Sequence, residues 1–243
     1  MPILKVGESE AASNIFEGHG LDVRADGEGN TRLASPLQQR PLIDISWLPL
    51  ASPAYKISPH IADYVFVEIP IVTADVPNRN LDCFPLAELL RFDVQSGKPV
   101  FGSFIGKPTH ADHDNKDPLK AKGVIFDAYM TPMEIRGHRY VKVRILAGWD
   151  RTKDTALVQK ILKRDRVAHS MGAWVDYTQC SYCGAIAKSG QITCHPKGQI
   201  IGGILVYETC GGVCFIESSS VGDPADFDAV DSGVKNPPHS EAA

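Results

Sequence analysis

Hydrophobic residues along the chain change their spacing from one segment to the next, and these changes predict where strands and helices lie. Runs of β-branched and aromatic residues at 64–72, 123–130 and 139–149 are typical of strands, and a polar connection separates the last two. Residues 167–177 predict a turn followed by a strand, and residues 202–221 predict a hairpin. The central part of the chain is therefore rich in strands.

Two segments have a helical pattern instead. Residues 85–97 predict a short helix, with proline at its start and glycine after its end. Residues 150–166 predict the clearest helix, with Asp150 or Thr152 as its N-terminal cap. The apolar residues of this second helix recur at a spacing of four, and they are Leu157, Val158, Ile161 and Leu162. Strands and helices together predict an α+β fold.

The two ends of the chain differ from the domain expected at 61–230. Residues 1–60 are rich in Gly, Ser, Pro and Asn, which predicts a partly ordered N-terminal extension. An apolar piece of this extension, at 42–50, is expected to dock on a neighbouring surface. Residues 231–243 predict a flexible tail.

Composition argues against several classes of function. The chain has 243 residues, of which 43% are hydrophobic, and its formal net charge is −4. These values are ordinary for a globular protein and predict no general affinity for nucleic acid. No apolar run approaches the roughly 20 residues of a membrane span, and the first residues lack the pattern of a secretory signal. We therefore expect an intracellular chain with neither a membrane nor a nucleic acid as partner.

Histidine and aspartate side chains are concentrated in the segment PTHADHDNKDP at 108–118. It contains His110 and His113, with Asp112 and Asp114 on either side of the second histidine. One hypothesis is that an imidazole here accepts a proton from a nearby nucleophile. Another is a metallo-hydrolase site that uses both histidines and Asp114, and a third is a surface loop with no chemical role. The further ligands that a metal would need could come from His138 and His169.

A candidate nucleophile lies in the segment AHSMGAWV. Ser170 is followed by Met171 and Gly172, and small residues after a serine leave room for substrate and for backbone N–H groups that face an oxyanion. A serine needs a base that removes its proton. His113, 57 residues upstream, or His110 could serve as that base. Taken alone, the Ser-x-Gly pattern is also common in ordinary turns.

Cysteines are clustered near the C-terminal end. Five of the six cysteines lie between residues 180 and 214, which in a reducing compartment favours metal binding over disulfides. The pattern Cys-x-x-Cys followed by Cys-His predicts a structural zinc knuckle whose ligands are Cys180, Cys183, Cys194 and His195. Because the last two ligands are adjacent in sequence, Cys210 or Cys214 could replace His195. The alternative is a set of reduced, buried thiols.

Taken together, these segments resemble the prohead maturation proteases of tailed bacteriophages, whose fold is similar to that of herpesvirus assemblin. The similarity covers about residues 62–230, and its segments follow the family order. The pairing of an SMGA-type serine segment with an immediately following CSxCG knuckle is specific to one phage branch. The matching segments are VPNRNLDCFPLAEL, FIGKPTHADHDNKDPLKAKGVIFDA, HSMGAWVDYTQCSYCG and FIESSSVGDPADFDA.

The resemblance implies a fold and a set of site residues. The expected fold is a closed or nearly closed β-barrel flanked by helices, with a small zinc knuckle inserted at about 178–200. The catalytic histidine of the family falls on His113 and the catalytic serine on Ser170. Relatives carry a polar or acidic group about 25 residues after the serine, and Glu217 reaches that position once the cysteine segment is counted as an insertion. Asp112 and Asp114 remain rivals of Glu217.

The resemblance also implies an activity and partners. It predicts a serine endopeptidase that acts inside the phage prohead, assembled in the host cytoplasm. The expected substrates are scaffold or core proteins, the capsid protein and the protease itself, and self-association is expected. Sites for self-trimming could lie after Glu8 or Glu241. The alternatives are an inactive zinc-stabilised capsid or scaffold component and the metallo-hydrolase described above.

Overall fold

The computed structural model describes the backbone of two short strands at 22–25 and 31–34 and most of the chain between residues 45 and 235. The described ranges of that main part are 45–94, 96–135, 137–163, 165, 167–188, 191, 194–226, 228–231 and 234–235. Most of the expected extension and tail, with both trimming candidates, lies outside the described residues.

The described residues form three α-helices and seventeen strands. The helices are α1 (Leu48–Tyr55), α2 (Leu86–Leu90) and α3 (Thr155–Leu162). The strands are β1 (Asp22–Ala25), β2 (Thr31–Ala34), β3 (Tyr64–Thr73), β4 (Asp82–Cys83), β5 (Phe92–Asp93), β6 (Lys98–Pro99), β7 (Pro108–Ala111), β8 (Gly123–Ile135), β9 (His138–Asp150), β10 (Ala168–Trp174), β11 (Tyr177–Cys180), β12 (Ile186–Lys188), β13 (Ile200–Ile201), β14 (Ile204–Leu205), β15 (Glu208–Gly211), β16 (Cys214–Val221) and β17 (Val234–Lys235).

The largest sheet has seven strands in the order β10, β16, β7, β8, β9, β3 and β17. β7 and β16 run parallel, and every other neighbouring pair is antiparallel. The register of β3 against β9 shifts between Pro70 and Val72, because proline has no N–H to donate to the ladder. The sheet places the segments that carry the histidine stretch, Ser170 and Glu217 on three adjacent strands.

One face of this sheet packs on the main hydrophobic core. Leu89 of α2 and Ile161 of α3 reach the core from the helices, and Trp149 fills it from β9. Phe104 and Phe215 stack at its centre with ring centroids 4.0 Å apart and nearly parallel planes. Burial of such aromatic side chains contributes most of the favourable energy of a core. Phe215 thereby anchors β16 to the main core.

A second, smaller core covers the other side of the long strands. Leu48 of α1 is buried there against Phe66 and Phe126, and Trp47 packs on Phe126 with ring centroids 5.5 Å apart. The apolar piece at 42–50 therefore docks on the sheet over its described residues, 45–50.

The expected closed or nearly closed barrel, and the α+β class that went with it, are wrong. The described residues are mostly β, and their sheets are open and mixed. In the described chain, the edge strands β10 and β17 are not paired with each other: β17 pairs with β3, and the outer edge of β10 meets Val230 through a bridge at Ala168. Chain segments that cover the edges in this way protect them from pairing with other molecules.

Two details of the predicted helices also differ. α2 ends at Leu90, and the predicted segment at 85–97 continues into β5, which pairs with β6 directly after that segment. α3 begins at Thr155 because Asp154 is the cap, with its carboxylate accepting a hydrogen bond from the Leu157 amide at 2.9 Å. Asp150 is instead the last residue of β9 and accepts from the Ser58 amide at 2.7 Å.

The cysteine segment forms a separate small sheet between β10 and β16. Its strand order is β12, β11, β15 and β4, and β4 joins it in parallel to β15. The hairpin predicted at 202–221 is wrong, since β15 and β16 belong to different sheets. Gly212 lies between these two strands with a φ of +63°, a conformation that favours glycine and lets the chain turn from one sheet to the other. We refer to residues 175–213 as the knuckle.

Candidate active site and metal cluster

A tight turn after β7 aims His113 at the neighbouring strand. Asp112 and His113 are both left-handed, with φ values of +50° and +55°. Each such non-glycine residue costs on the order of 1 kcal/mol or more, and such strain is concentrated at functional sites. The turn is held by hydrogen bonds from the Asp112 amide to the Ser220 carbonyl at 2.8 Å and from the Asp114 amide to the Ala111 carbonyl at 3.0 Å.

The ring of His113 contacts a buried carboxylate on β16. Nδ1 of His113 lies 2.7 Å from Oε1 of Glu217, whose side chain is 1% exposed, whereas the His113 side chain is 41% exposed. The other oxygen of the carboxylate, Oε2, accepts a hydrogen bond from the Ser219 hydroxyl at 2.5 Å. The Ser219 hydroxyl in turn accepts from the His113 amide at 3.2 Å. A base held by a buried carboxylate is the arrangement that orients an imidazole for proton transfer.

Ser170 lies on β10, directly across from this group. It pairs with Ser219, and Gly172 pairs with Glu217. Side chains that are directly opposite in an antiparallel pair lie on the same face, with Cβ atoms about 5 Å apart. The fold therefore brings Ser170, His113 and Glu217 to one face of two adjacent strands, although 104 residues separate the histidine from the glutamate.

Gly172 is the reason that Glu217 can turn towards the histidine. A Cβ atom at position 172 would lie 2.7 Å from Oε1 of Glu217 and 3.0 Å from its Cγ. The register of β10 against β16 shifts directly after this glycine, which places Ile216 as the extra residue. The Ser-x-Gly pattern in the sequence contains this glycine. The pattern alone does not show that the glycine makes room for the side chain of Glu217.

The rivals for the third position lie elsewhere. Asp114 is exposed and pairs with Lys120 at 2.7 Å, a contact that lowers the pKa of Asp114 below its usual value. Asp112 is exposed on the strained turn. Among the described residues, Glu217 is the carboxylate that hydrogen-bonds the His113 ring.

The histidines proposed as metal ligands are dispersed. His138 is exposed at the start of β9, and His169 is buried on the opposite face of β10 from Ser170, against Trp149 with ring centroids 5.8 Å apart. Burial lowers the pKa of His169 to about 3. Within the described part of the chain, His110, His113 and Asp114 do not form a group of converging ligand atoms.

A small pocket opens beside Ser170 at the outer edge of β10. Its polar end is held by Lys142, which is fully buried and bonds Thr73 Oγ1 at 2.6 Å and Asp226 Oδ1 at 2.5 Å. The other wall residues are mostly apolar, and they are Ile71, Val72, Val76, Asn78, Phe84, Met171 and Ala225. This ion pair was not found from the sequence, because nothing in the local pattern links Lys142 on β9 to a residue 84 positions later.

The knuckle brings together the four predicted metal ligands. Their ligand atoms, from Cys180, Cys183, Cys194 and His195, all lie within 4.8 Å of one another and could hold a metal ion. Sγ of Cys183 lies 3.0 Å from Sγ of Cys194, and Nδ1 of His195 lies 3.7 Å from Sγ of Cys180. The backbone amide of Cys183 lowers the pKa of Cys180 to about 6, which favours the thiolate that binds metal.

The two rival thiols do not join this cluster. Cys210 is buried, and burial raises its pKa to about 12. Cys214 is exposed, with its Sγ 3.8 Å from the Phe215 carbonyl oxygen. A three-cysteine, one-histidine set is a usual ligand set of structural zinc.

Comparisons with protein-family models, with curated proteins and with solved structures found no match to this chain. Among the described residues, no helix has both the length and the apolar character that crossing a membrane requires.

Proposed function

We propose that the chain is a serine endopeptidase. The observation that carries the proposal is the contact of 2.7 Å between Nδ1 of His113 and Oε1 of Glu217, one strand away from Ser170. A carboxylate on Nδ1 leaves Nε2 to accept the proton of a serine hydroxyl.

In the proposed mechanism, His113 removes the proton from Ser170 as its oxygen attacks the scissile carbonyl. Glu217 stabilises the imidazolium that forms and holds the ring in place. His113 then donates the proton to the leaving amine, and water releases the acyl group by the reverse route. The protein's part is to orient these groups from two adjacent strands and the tight turn after β7.

Backbone geometry supplies a candidate for the oxyanion donor. The His169 amide points away from β16 and donates to the Ala229 carbonyl at 2.7 Å. Because strand N–H groups alternate in direction, the Met171 amide points to the same outer side, where Met171 lines the pocket beside Ser170. A backbone N–H next to the nucleophile can stabilise a tetrahedral intermediate.

Substrates and location follow from the resemblance to prohead maturation proteases. We propose that the enzyme cleaves scaffold or core proteins, capsid protein and itself inside a phage prohead that assembles in the host cytoplasm. We also propose that the knuckle binds one Zn²⁺ in a structural role, because four protein ligands leave no open coordination position for a substrate.

A fluorophosphonate probe tests the proposed activity without a known substrate. We expect one adduct on the full chain, located at Ser170 by peptide mass spectrometry, and none on Ser170→Ala. Ser220→Ala is the matched control, since this serine lies one residue beyond Ser219 on β16 and pairs with His169 rather than Ser170. It is expected to label like the wild type.

Three results would overturn the assignment. A folded wild-type chain that forms no adduct would favour an inactive zinc-stabilised component. An adduct that persists in Ser170→Ala would place the nucleophile elsewhere. Self-trimming that survives Ser170→Ala but stops with a chelator would favour the metallo-hydrolase.

A further inference from the structure

His110 is a buried histidine whose ring has no partner in the described protein. It is 1% exposed, and neither Nδ1 nor Nε2 makes a hydrogen bond to a described residue. Leaving a buried polar group unpaired costs about 1–3 kcal/mol. Buried polar groups of this kind usually bond an ordered water.

The position of His110 relates it to the proposed active site. In the parallel pair of β7 and β16, His110 is aligned with Ser219, which is in turn opposite Ser170 on β10. These three side chains therefore lie next to one another on the same face of the sheet. Glu217, two residues before Ser219, lies on the same face of β16.

Burial and the charge of Glu217 act on the pKa of His110 in opposite directions. Burial lowers the pKa of His110, and attraction to Glu217 is the largest effect that opposes this change. The other charged or titratable groups that act on it are Asp114, Asp117 and His113. A neutral imidazole has one N–H to donate.

The carboxylate of Glu217 has acceptor sites left for further hydrogen bonds. Oε1 contacts His113 and Oε2 accepts from Ser219. Each carboxylate oxygen has two lone pairs, so sites remain on both. A water between the two side chains would satisfy the imidazole and complete the bonds that hold the carboxylate.

We propose that His110 is a positioning residue that donates a hydrogen bond, through one buried water, to the carboxylate of Glu217 and so fixes the orientation of His113. This inference rests on the proposed function. The inference adds to the proposed function a role for a second histidine, His110, which acts only through Glu217.

The test compares His110→Phe with His110→Gln and His110→Asn. Phenylalanine fills the space without a donor, whereas the two amides reproduce the donors at Nε2 and Nδ1. The rate of Ser170 modification by the fluorophosphonate probe, measured against pH, is expected to fall about tenfold in His110→Phe, as for one lost hydrogen bond to a charged group. The pH at which His113 titrates should shift in the same variant, and at least one amide variant should restore both values.

A second measurement separates this idea from the enzyme proposal. The His113 titration is followed by NMR of the imidazole nitrogens in the full chain carrying Ser170→Ala, which needs no activity. A probe that never labels Ser170 sinks the enzyme proposal, while the NMR comparison still decides on His110. Equal His113 titrations in the Ser170→Ala chain and in the same chain with His110→Phe or His110→Gln added would overturn the positioning role. So would amide variants that behave like His110→Phe, because the effect would then be one of packing. His138→Phe, at an exposed position, is the control.

Discussion

The proposed catalytic row consists of Ser170, His113 and Glu217, and its side chains are brought together in the opposite way from the ligands of the knuckle. Ser170, His113 and Glu217 come from distant parts of the chain, and the register of the large sheet brings them together. The metal ligands lie between residues 180 and 195 and need only a short loop to meet. A site of the first kind depends on the whole core, whereas a site of the second kind would be held together by a bound ion.

Packing shows the same contrast. Under the catalytic row, Phe215 is fully buried and stacks on Phe104. In the knuckle, Ile186 is 62% exposed and Ile200 is 69% exposed, so these apolar side chains add little burial. Cys210 and Val213 tie one end of the knuckle to the main core, and a bound metal would stabilise the part that buries little apolar surface.

The largest expected effect is the loss of knuckle structure when the metal is removed. Structural zinc contributes roughly 10 kcal/mol or more to the folding of small zinc modules. We expect a chelator, or Cys183→Ser, to open residues 181–205 to limited proteolysis while the large sheet stays resistant. Mass spectrometry of the fragments measures this directly, and elemental analysis should give one zinc per chain before treatment.

Cys214→Ser is the matched control, because this exposed cysteine lies outside the ligand cluster. It should keep both the metal and the protection. Chelation that unfolds the large sheet together with the knuckle would show that the two regions are one cooperative unit. A knuckle that stays protected without metal would contradict the contrast drawn above.

The knuckle ligands could be predicted from the sequence because their chemistry is local. Spacing alone brings Cys180, Cys183, Cys194 and His195 into reach of one ion. The roles expected for His113 and Glu217 came from a resemblance, and their contact at 2.7 Å depends on strand register. Register is set by pairing along the whole sheet, so local patterns did not indicate it.

The same reasoning explains the errors. Strand positions at 64–72 and 139–149 followed from β-branched runs, and β3 and β9 lie there. How strands close or stay open depends on which segment covers each edge. Here Val230 covers the edge of β10 and Val234 covers the edge of β3, so the described sheet stays open. The hairpin expected at 202–221 failed for a related reason, since β15 pairs with β11 and β4 and not with β16.

Gly172→Ala is expected to have an intermediate effect. It tests how far reactivity depends on the close packing of Glu217 against β10. The new methyl group would lie 2.7 Å from Oε1 of Glu217, so the carboxylate must shift from the position in which it contacts His113. Misplacing a catalytic group by about 1 Å can cost up to about 100-fold in rate. We expect fluorophosphonate labelling of Ser170 to slow by about 10- to 100-fold, with little loss of metal.

Gly222→Ala is the control for the added methyl group, because nothing lies within 4 Å of a Cβ atom at that position. It should label at the wild-type rate. If Gly172→Ala does so as well, the close packing of Glu217 against β10 does not matter for reactivity. If it also loses zinc, the row and the knuckle are coupled through β10.

The smallest expected effect is a pH dependence of stability that belongs to the core beneath the catalytic row. His169 is fully buried, and burial lowers its pKa to about 3, against about 6.5 in an unfolded chain. Between these values the unfolded chain binds a proton that the folded chain does not, so stability is complete above about pH 6.5 and falls as the pH is lowered. The slope from this one group is about 1.4 kcal/mol per pH unit. His169→Phe should remove that part of the slope in urea unfolding between pH 7 and pH 5, with excess zinc present in both proteins.

His138→Phe should leave the slope unchanged, because His138 is exposed. A His169→Phe chain that loses stability with pH as steeply as the wild type would place the acid sensitivity elsewhere, and the knuckle, whose thiolates and imidazole bind protons in competition with the metal, would then be the region to examine.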